Sequence, residues 1–188
     1  MDRRRNLSGR EGFVLPRVIY GNRGDLASRW ALLRALDQLG VREVSVFRDK
    51  PSDVPALAYP QFDYGPIRNL ITNGPAHAVL HNARVVLWAV GLDMQDDSSL
   101  AKLTYLNLLF RRYRKMGLRI WCVFQGVGPI STSAGRWMTR RLLENVDRFI
   151  ARDPGSYELI CTLTDPAKCD LGHDAIFLPG LEADLHIE

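Results

Sequence analysis

Four short segments of this sequence combine glycine with groups that bind anions or move protons: Gly21-Asn22-Arg23-Gly24-Asp25, Gly91 to Asp97, Gln125 to Ser131, and Arg152 to Ser156. Gly21 and Gly24 allow a sharp turn into a helix whose free N–H groups suit an anion. Asn22 can hydrogen-bond a substrate hydroxyl, while Asp25 has the plainer reading of a helix N-cap. In the second segment, Asp93, Asp96 and Asp97 could bind a metal or supply a general base. Helix capping is the plainer role for Asp96 and Asp97, which leaves Asp93, two residues after Gly91, as the catalytic candidate of that segment. In the third, Gly126 and Gly128 permit backbone conformations other residues avoid, and Gln125 is a polar residue at the end of an apolar run. In the fourth, Arg152 is a cation for a substrate anion, while Asp153 or Ser156 can cap the next helix and Asp153 can pair with Arg152.

These segments fall at strand ends. Arg17 to Gly21 reads as a first strand after a polar leader, Met1 to Pro16. Asp25 to Gly40 reads as a helix, with Leu26, Trp30, Leu33 and Leu36 on one face and Gly40 as its C′ residue. Glu43 to Phe47 is a second strand. Lys50 to Gly74 reads as a long loop with a short helix, and Ala76 to Asn82 as helical. Arg84 to Val90 is a near-continuous apolar run and reads as a central parallel strand. A helix capped by Ser98 or Ser99 follows, with Leu100, Leu103, Leu106, Phe110 and Tyr113 as its stripe and a basic last turn, Arg111 to Lys115, that complements its dipole. Leu118 to Gln125 is a strand ending in a turn at Gly126 to Pro129. A helix to about Asn145, a strand at Arg148 to Arg152, a helix at Gly155 to Leu163 and a strand at Ala175 to Leu178 complete the alternation. The pattern predicts an α/β fold, a Rossmann-like parallel sheet with helices on both faces, from residue 17 to 188. Ligands of such sheets bind at the carboxyl ends of the strands, where all four segments lie.

Composition narrows the function classes. The 188 residues carry 25 Lys or Arg and 21 Asp or Glu, a net charge of +4, which suits an anionic substrate but argues for no nucleic acid. Cys122, Cys161 and Cys169 make an odd count without a CxxC pair, so neither a disulfide framework nor a zinc site is expected, and a reducing, cytoplasmic setting is. His77 and His81 share a spacing of four, but residue 78 is Ala rather than the Glu of a zinc protease. No Walker Lys-Ser pair and no complete G-x-G-x-x-G is present, which disfavours a nucleoside triphosphatase or a dinucleotide enzyme. No apolar run follows the basic Met1 to Arg5 before Phe13, so no signal peptide is expected, and no stretch reaches the ~20 apolar residues of a membrane span. Arg3, Arg4 and Arg5 leave room for a peripheral membrane association.

In order and spacing these segments resemble the polysaccharide pyruvyl transferase family. Gly21 to Asp25 is similar to its G-N-x-G-D, Gln125 to Pro129 to its G-Q-G-I-G-P with Phe124 in place of the first Gly, and Arg152 to Ser156 to its R-D-x-x-S. Ala183-Asp184-Leu185 resembles an A-D-P segment. Where the family has Gly-Gly-Gly after the third core strand, this chain has Ala89-Val90-Gly91. The resemblance implies one lobe of a GT-B-like pair of α/β lobes, and transfer of pyruvyl from phosphoenolpyruvate to sugar hydroxyls of a polysaccharide or its precursor, without a metal or further cofactor. It implies an acceptor site on this lobe, with Asp25 and Asp93 in catalytic roles and Gly21, Asn22, Gly24, Gly91, Gln125, Gly126, Gly128 and Arg152 binding substrate. It also implies that most donor-binding residues lie in a second lobe, so that a partner lobe or homo-oligomer would complete the cleft. The alternatives are a sugar-binding lobe incomplete on its own and a glycosyltransferase-like lobe for a nucleotide-sugar.

Overall fold

Alternation within the apolar runs decides the layers. The computed structural model describes residues 12–19, 22–41, 43–48, 61–63, 75–97 and 99–178. In chain order these form β1 (Phe13–Leu15), α1 (Arg23–Gln38), β2 (Val44–Arg48), β3 (Gln61–Asp63), α2 (Pro75–Asn82), β4 (Val85–Ala89), β5 (Leu92–Met94), α3 (Ala101–Lys115), β6 (Arg119–Val127), α4 (Ser133–Leu143), β7 (Arg148–Ala151), α5 (Pro154–Cys161) and β8 (Cys169–Leu171). Among these residues every strand pairing is parallel, in the order β3-β2-β1-β4-β6-β7-β8, with β5 set beside the end of β6. The fold is α/β and Rossmann-like, as its alternating runs predict.

β4 is buried along its whole length, and its side chains divide between two cores. Val86 and Trp88 join Leu103, Leu106, Phe110 and Tyr113 of α3 and Leu142 and Leu143 of α4. Val85, Leu87 and Ala89 join Leu32 and Leu33 of α1 on the opposite face. A strand with period two and apolar residues at both phases must be covered on both sides, which is why this run is unbroken. Trp88 meets Phe110 edge-on at 5.4 Å between ring centroids.

The direction of the strand order reverses at β1, whose neighbours are β2 and β4. The peptides leaving the carboxyl ends of β1 and β4 therefore splay to opposite faces and leave a crevice between them.

Several boundaries differ from the sequence reading. The first strand is Phe13–Leu15, inside the stretch read as a polar leader, while Pro16 to Ile19 is irregular. Val18 and Ile19 line the crevice beside Arg17, and Ile19 is buried there. Asn22, not Asp25, caps α1: its Oδ1 accepts from the N–H groups of Gly24 and Asp25 at 3.0 and 3.2 Å. β3 falls within the segment read as loop and short helix; the remainder of that segment, 50–60 and 64–74, lies outside the described residues, as do Ser98, the side chain of His77 and Ala183 to Leu185. β6 runs on through Gly126 and Val127, because β5 supplies it with a further partner strand. Residues 175–177 form a 3₁₀ turn capped by Asp174 rather than a strand, and the strand of that region is β8. Gly40, with φ +74°, closes α1 as its C′ residue.

Candidate functional site

A cleft of about 680 Å³ opens at the crevice between β1 and β4. Its lining includes Arg17, Asn22, Asp25, Trp88, Asp93, Lys102, Tyr105 and Arg152. Each comes from the carboxyl side of a strand or the first turns of the helix that follows. Arg17 follows β1, Asn22 and Asp25 open α1, Asp93 lies in β5 just past β4, Lys102 is in the first turn of α3, and Arg152 follows β7.

The rear of the cleft is one ion-pair network. The Arg17 guanidinium donates through Nε to Asp93 Oδ2 at 2.5 Å and through Nη2 to Asp25 Oδ2 at 2.8 Å. Lys102 Nζ lies 2.8 Å from Asp93 Oδ1 and donates to the Leu92 carbonyl at 3.1 Å. The indole N–H of Trp88 donates to Asp93 Oδ2 at 3.0 Å. Asp93 is thus a buried carboxylate held by three donors, the arrangement in which a buried charge is tolerated. Burial works against its ionisation, but Arg17 and then Lys102 outweigh burial and hold the carboxyl below the ordinary range. Burial likewise works against the Arg17 charge, and Asp93 and Asp25 outweigh it, so its pKa is raised. Arg17 Nη1 is buried and has no hydrogen-bond partner among the described residues.

The glycines of these loops make room for the chain's own cations. Gly91 has φ +90°, and a Cβ there would lie 2.4 Å from Arg17 Nη2 and 2.9 Å from Asp25 Oδ2. A Cβ on Gly126 would lie 2.8 Å from Arg152 Nε. The Arg152 guanidinium rests against that bare backbone, with carboxylate contacts of 3.5 Å to Asp153 and 3.7 Å to Asp174. Its side chain keeps 31% of its exposure and faces the cleft.

Two positions that the resemblance expects to be glycine keep a glycine-like backbone without being glycine. Val90 has φ +58° and Phe124 φ +54°. Side chains rarely adopt this region, β-branched ones least of all. Val90 is held by its neighbours: its N–H donates to the Val123 carbonyl at 2.9 Å, and Gln125 Nε2 donates to its carbonyl.

The structure brings Asn22, Asp25, Asp93 and Arg152 into one cleft and places Gly91 and Gly126 directly behind its arginines. Gly24 lies in the exposed first turn of α1. Gln125 is fully buried and braces Val90 rather than lining the cleft. Gly128, with φ +96°, packs towards Leu159, away from the lining. Gly21 lies outside the described residues. Asp96 does not cap the helix after it, as its position in the sequence suggests. It accepts from the Ser131 and Thr132 N–H groups at 2.8 Å each and from the Thr132 hydroxyl at 2.5 Å, and so anchors the start of α4. The Thr132 hydroxyl bond, with the two N–H bonds, holds its carboxyl below the ordinary range. Asp153 caps α5 and pairs with Arg152, as the sequence reading has it, and it also accepts from the Ser156 hydroxyl at 2.8 Å. Burial opposes ionisation of Asp153, and its bonds from Ser156 prevail, so its pKa is lowered.

Sequence reasoning missed Arg17, Lys102 and Trp88. Lys102 carried a signal: a cation in the first turn of a helix runs against the dipole, and a carboxylate facing it resolves the conflict. Arg17 was hidden by being read as the start of a strand.

Among the described residues no helix is long and apolar enough to cross a membrane. No curated protein matches the chain. The family model for polysaccharide pyruvyl transferase matches residues 22–186, a span from the cap of α1 past β8 that covers most of the cleft. With that match over most of its length, the chain belongs to the polysaccharide pyruvyl transferase family.

Proposed function

We propose that this chain takes part in transfer of a pyruvyl group from phosphoenolpyruvate to two hydroxyls of a sugar. The observation that carries the reading is the cleft at the β1/β4 crevice, in a chain of this family, where Arg17, Lys102 and Arg152 face polar groups suited to sugar hydroxyls.

The chemistry assigns work to these groups. A proton is added to the methylene carbon of the donor, and a sugar hydroxyl bonds to the neighbouring carbon. Phosphate leaves with the C–O bonding pair, and a second hydroxyl of the same sugar closes the ketal. Both hydroxyl protons are released, one balancing the proton gained by carbon and the other leaving with phosphate or base. Asp25, partly exposed and turned to the cleft by Arg17, is placed to accept a hydroxyl proton. Asn22 spends its Oδ1 on capping α1, which leaves its Nδ2 to donate to a hydroxyl. Arg152 and Lys102 are the exposed cations for the donor's carboxylate or phosphate. Asp93 orients Arg17 and Lys102, since its two oxygens are taken up by them and by the Trp88 indole.

The test is phosphate release from phosphoenolpyruvate by the purified protein across a panel of sugar acceptors, with mass spectrometry of the acceptor. Release that depends on acceptor, with pyruvyl ketal in the product, is the expected result. Sugar binding without turnover would favour an incomplete lobe instead. Tight binding of a nucleotide-sugar with no use of phosphoenolpyruvate would favour a glycosyltransferase-like role.

A further inference from the structure

We infer that the outer face of α3 and α4 docks on an anionic lipid bilayer. The inference is independent of the transferase reading, since it rests on residues outside the cleft lining.

α3 and α4 lie side by side and, apart from Lys102 in the cleft, carry seven Lys or Arg between them and no Asp or Glu. In a chain with a net charge of only +4, this concentrates the positive field on one side. Some of these cations are neutralised nearby: Arg114 pairs with Asp147 at 2.8 Å and Arg141 with Glu144 at 3.1 Å. Arg111, Lys115, Arg136 and Arg140 are exposed and have no carboxylate partner among the described residues.

Two large apolar side chains stand among them. The seam between the helices is tied where Asn107 Nδ2 donates to the Met138 carbonyl at 3.0 Å. The adjacent residues, Leu108 and Trp137, turn outwards and are 64% and 60% exposed. The Arg141 guanidinium lies 5.8 Å from the centroid of the Trp137 ring. An exposed indole and a leucine ringed by cations match what an anionic bilayer accepts: apolar groups enter the headgroup boundary while Lys and Arg stay at the phosphate level.

The same observations disfavour other occupants. A second copy applied through this face would set cations against cations, with no carboxylate in either helix to relieve them. A nucleic acid would use the cations but gain nothing from an exposed leucine, and the chain has no motif for one.

The experiment is flotation of the intact protein with vesicles of phosphatidylcholine alone or mixed with phosphatidylglycerol, alongside Trp137→Ala, the double variant Arg136→Gln/Arg140→Gln, and Arg3→Gln/Arg4→Gln/Arg5→Gln. The expected result is binding only to the anionic vesicles, weakened roughly tenfold or more by removing Arg136 and Arg140 and clearly weakened by Trp137→Ala. A blue shift of tryptophan emission on binding should vanish in Trp137→Phe. Arg136, Trp137 and Arg140 are exposed, and circular dichroism should show every variant folded. The proposal is overturned by absence of binding, or by binding that only the variant at residues 3 to 5 weakens. It is equally overturned if Trp137→Ala instead dissolves a dimer seen by light scattering, or if duplex DNA binds this face more tightly than the vesicles.

Discussion

The Arg17 guanidinium and the Asp93 carboxylate meet at 2.5 Å across 76 residues of chain, joining the exit of β1 to the short strand beside β6. The pair spans the crevice at which the strand order reverses. It fixes the two walls of the cleft relative to each other, and both partners are nearly buried.

Breaking that pair from one side should be costly. Asp93→Asn leaves Arg17 and Lys102 facing a neutral amide, and the loss expected for stranding a buried charge is about 3–5 kcal/mol. Replacing both partners with apolar residues, Arg17→Met/Asp93→Leu, should cost less than the sum of the single changes. Denaturant unfolding of the parent, Arg17→Met, Asp93→Leu and the double variant gives the cycle, and additive losses would contradict a direct pairing.

Acid should expose the same network. Asp93, Asp96 and Asp153 are all held below the ordinary carboxylate range in the folded protein. As pH falls, the unfolded chain takes up protons first, so acid favours unfolding. Their stabilisation is complete above the ordinary carboxylate pKa of about 4 and drains away as pH drops towards the folded values. Asp93→Asn should unfold at lower denaturant at neutral pH but show a shallower decline in acid. A parallel pH profile for variant and parent would remove Asp93 from the account.

Arg152 should separate function from stability. Its carboxylate contacts are long and its side chain is about one-third exposed, so Arg152→Gln should change stability by no more than about 0.5 kcal/mol. Loss of a hydrogen bond to a charged substrate should lower kcat/KM at least about tenfold, mainly through KM. Gly126→Ala should imitate it by pushing the guanidinium off the backbone it rests on. A variant that unfolds, or that turns over normally, would assign Arg152 elsewhere.

Gly91 should be far less tolerant. A methyl there meets Arg17 at 2.4 Å, and the φ of +90° penalises any side chain. Gly91→Ala is expected to cost more than about 1–2 kcal/mol and to disturb the Arg17 network as well. Thermal unfolding checks the first effect, and loss of the Asp93-dependent pH slope checks the second.

At Val90 and Phe124 the usual ranking of alanine above glycine should invert. Alanine at either position keeps the left-handed strain and loses the side chain's contacts, whereas glycine loses the contacts and the strain together. Val90→Gly should therefore be more stable than Val90→Ala by about 1 kcal/mol, and Phe124→Gly more stable than Phe124→Ala by a similar amount. Equal or reversed stabilities would mean that the backbone relaxes when the side chain is cut.

The layers were legible in the sequence because β4 and β6 are buried on both faces and α3 shows a clear apolar stripe. The four chemistry-bearing segments were found at strand ends, where the topology places them. What escaped was long-range. Nothing local marks Asp96 as the anchor of α4, thirty-five residues on, or Arg17 as the partner of Asp93. β8 and β3 are three-residue strands, too short to show a period, and they exist because a parallel neighbour presents an open edge. Gln125 looked like a substrate contact because it is polar at the end of an apolar run. Its amide instead satisfies the Val90 carbonyl, which the turn leaves without a strand partner.

The bent backbone at Val90 and Phe124 bears on how such loops can be recognised. Their shape is written in torsion angles, and glycine is only the residue that adopts those angles without penalty. A loop whose contour is fixed by β6, Gln125 and the bond from Val90 to Val123 can lose its glycines one at a time while the crevice beside it keeps its outline. A glycine-counting motif would pass over such a chain, whereas a motif stated as a sign of φ at two positions would find it.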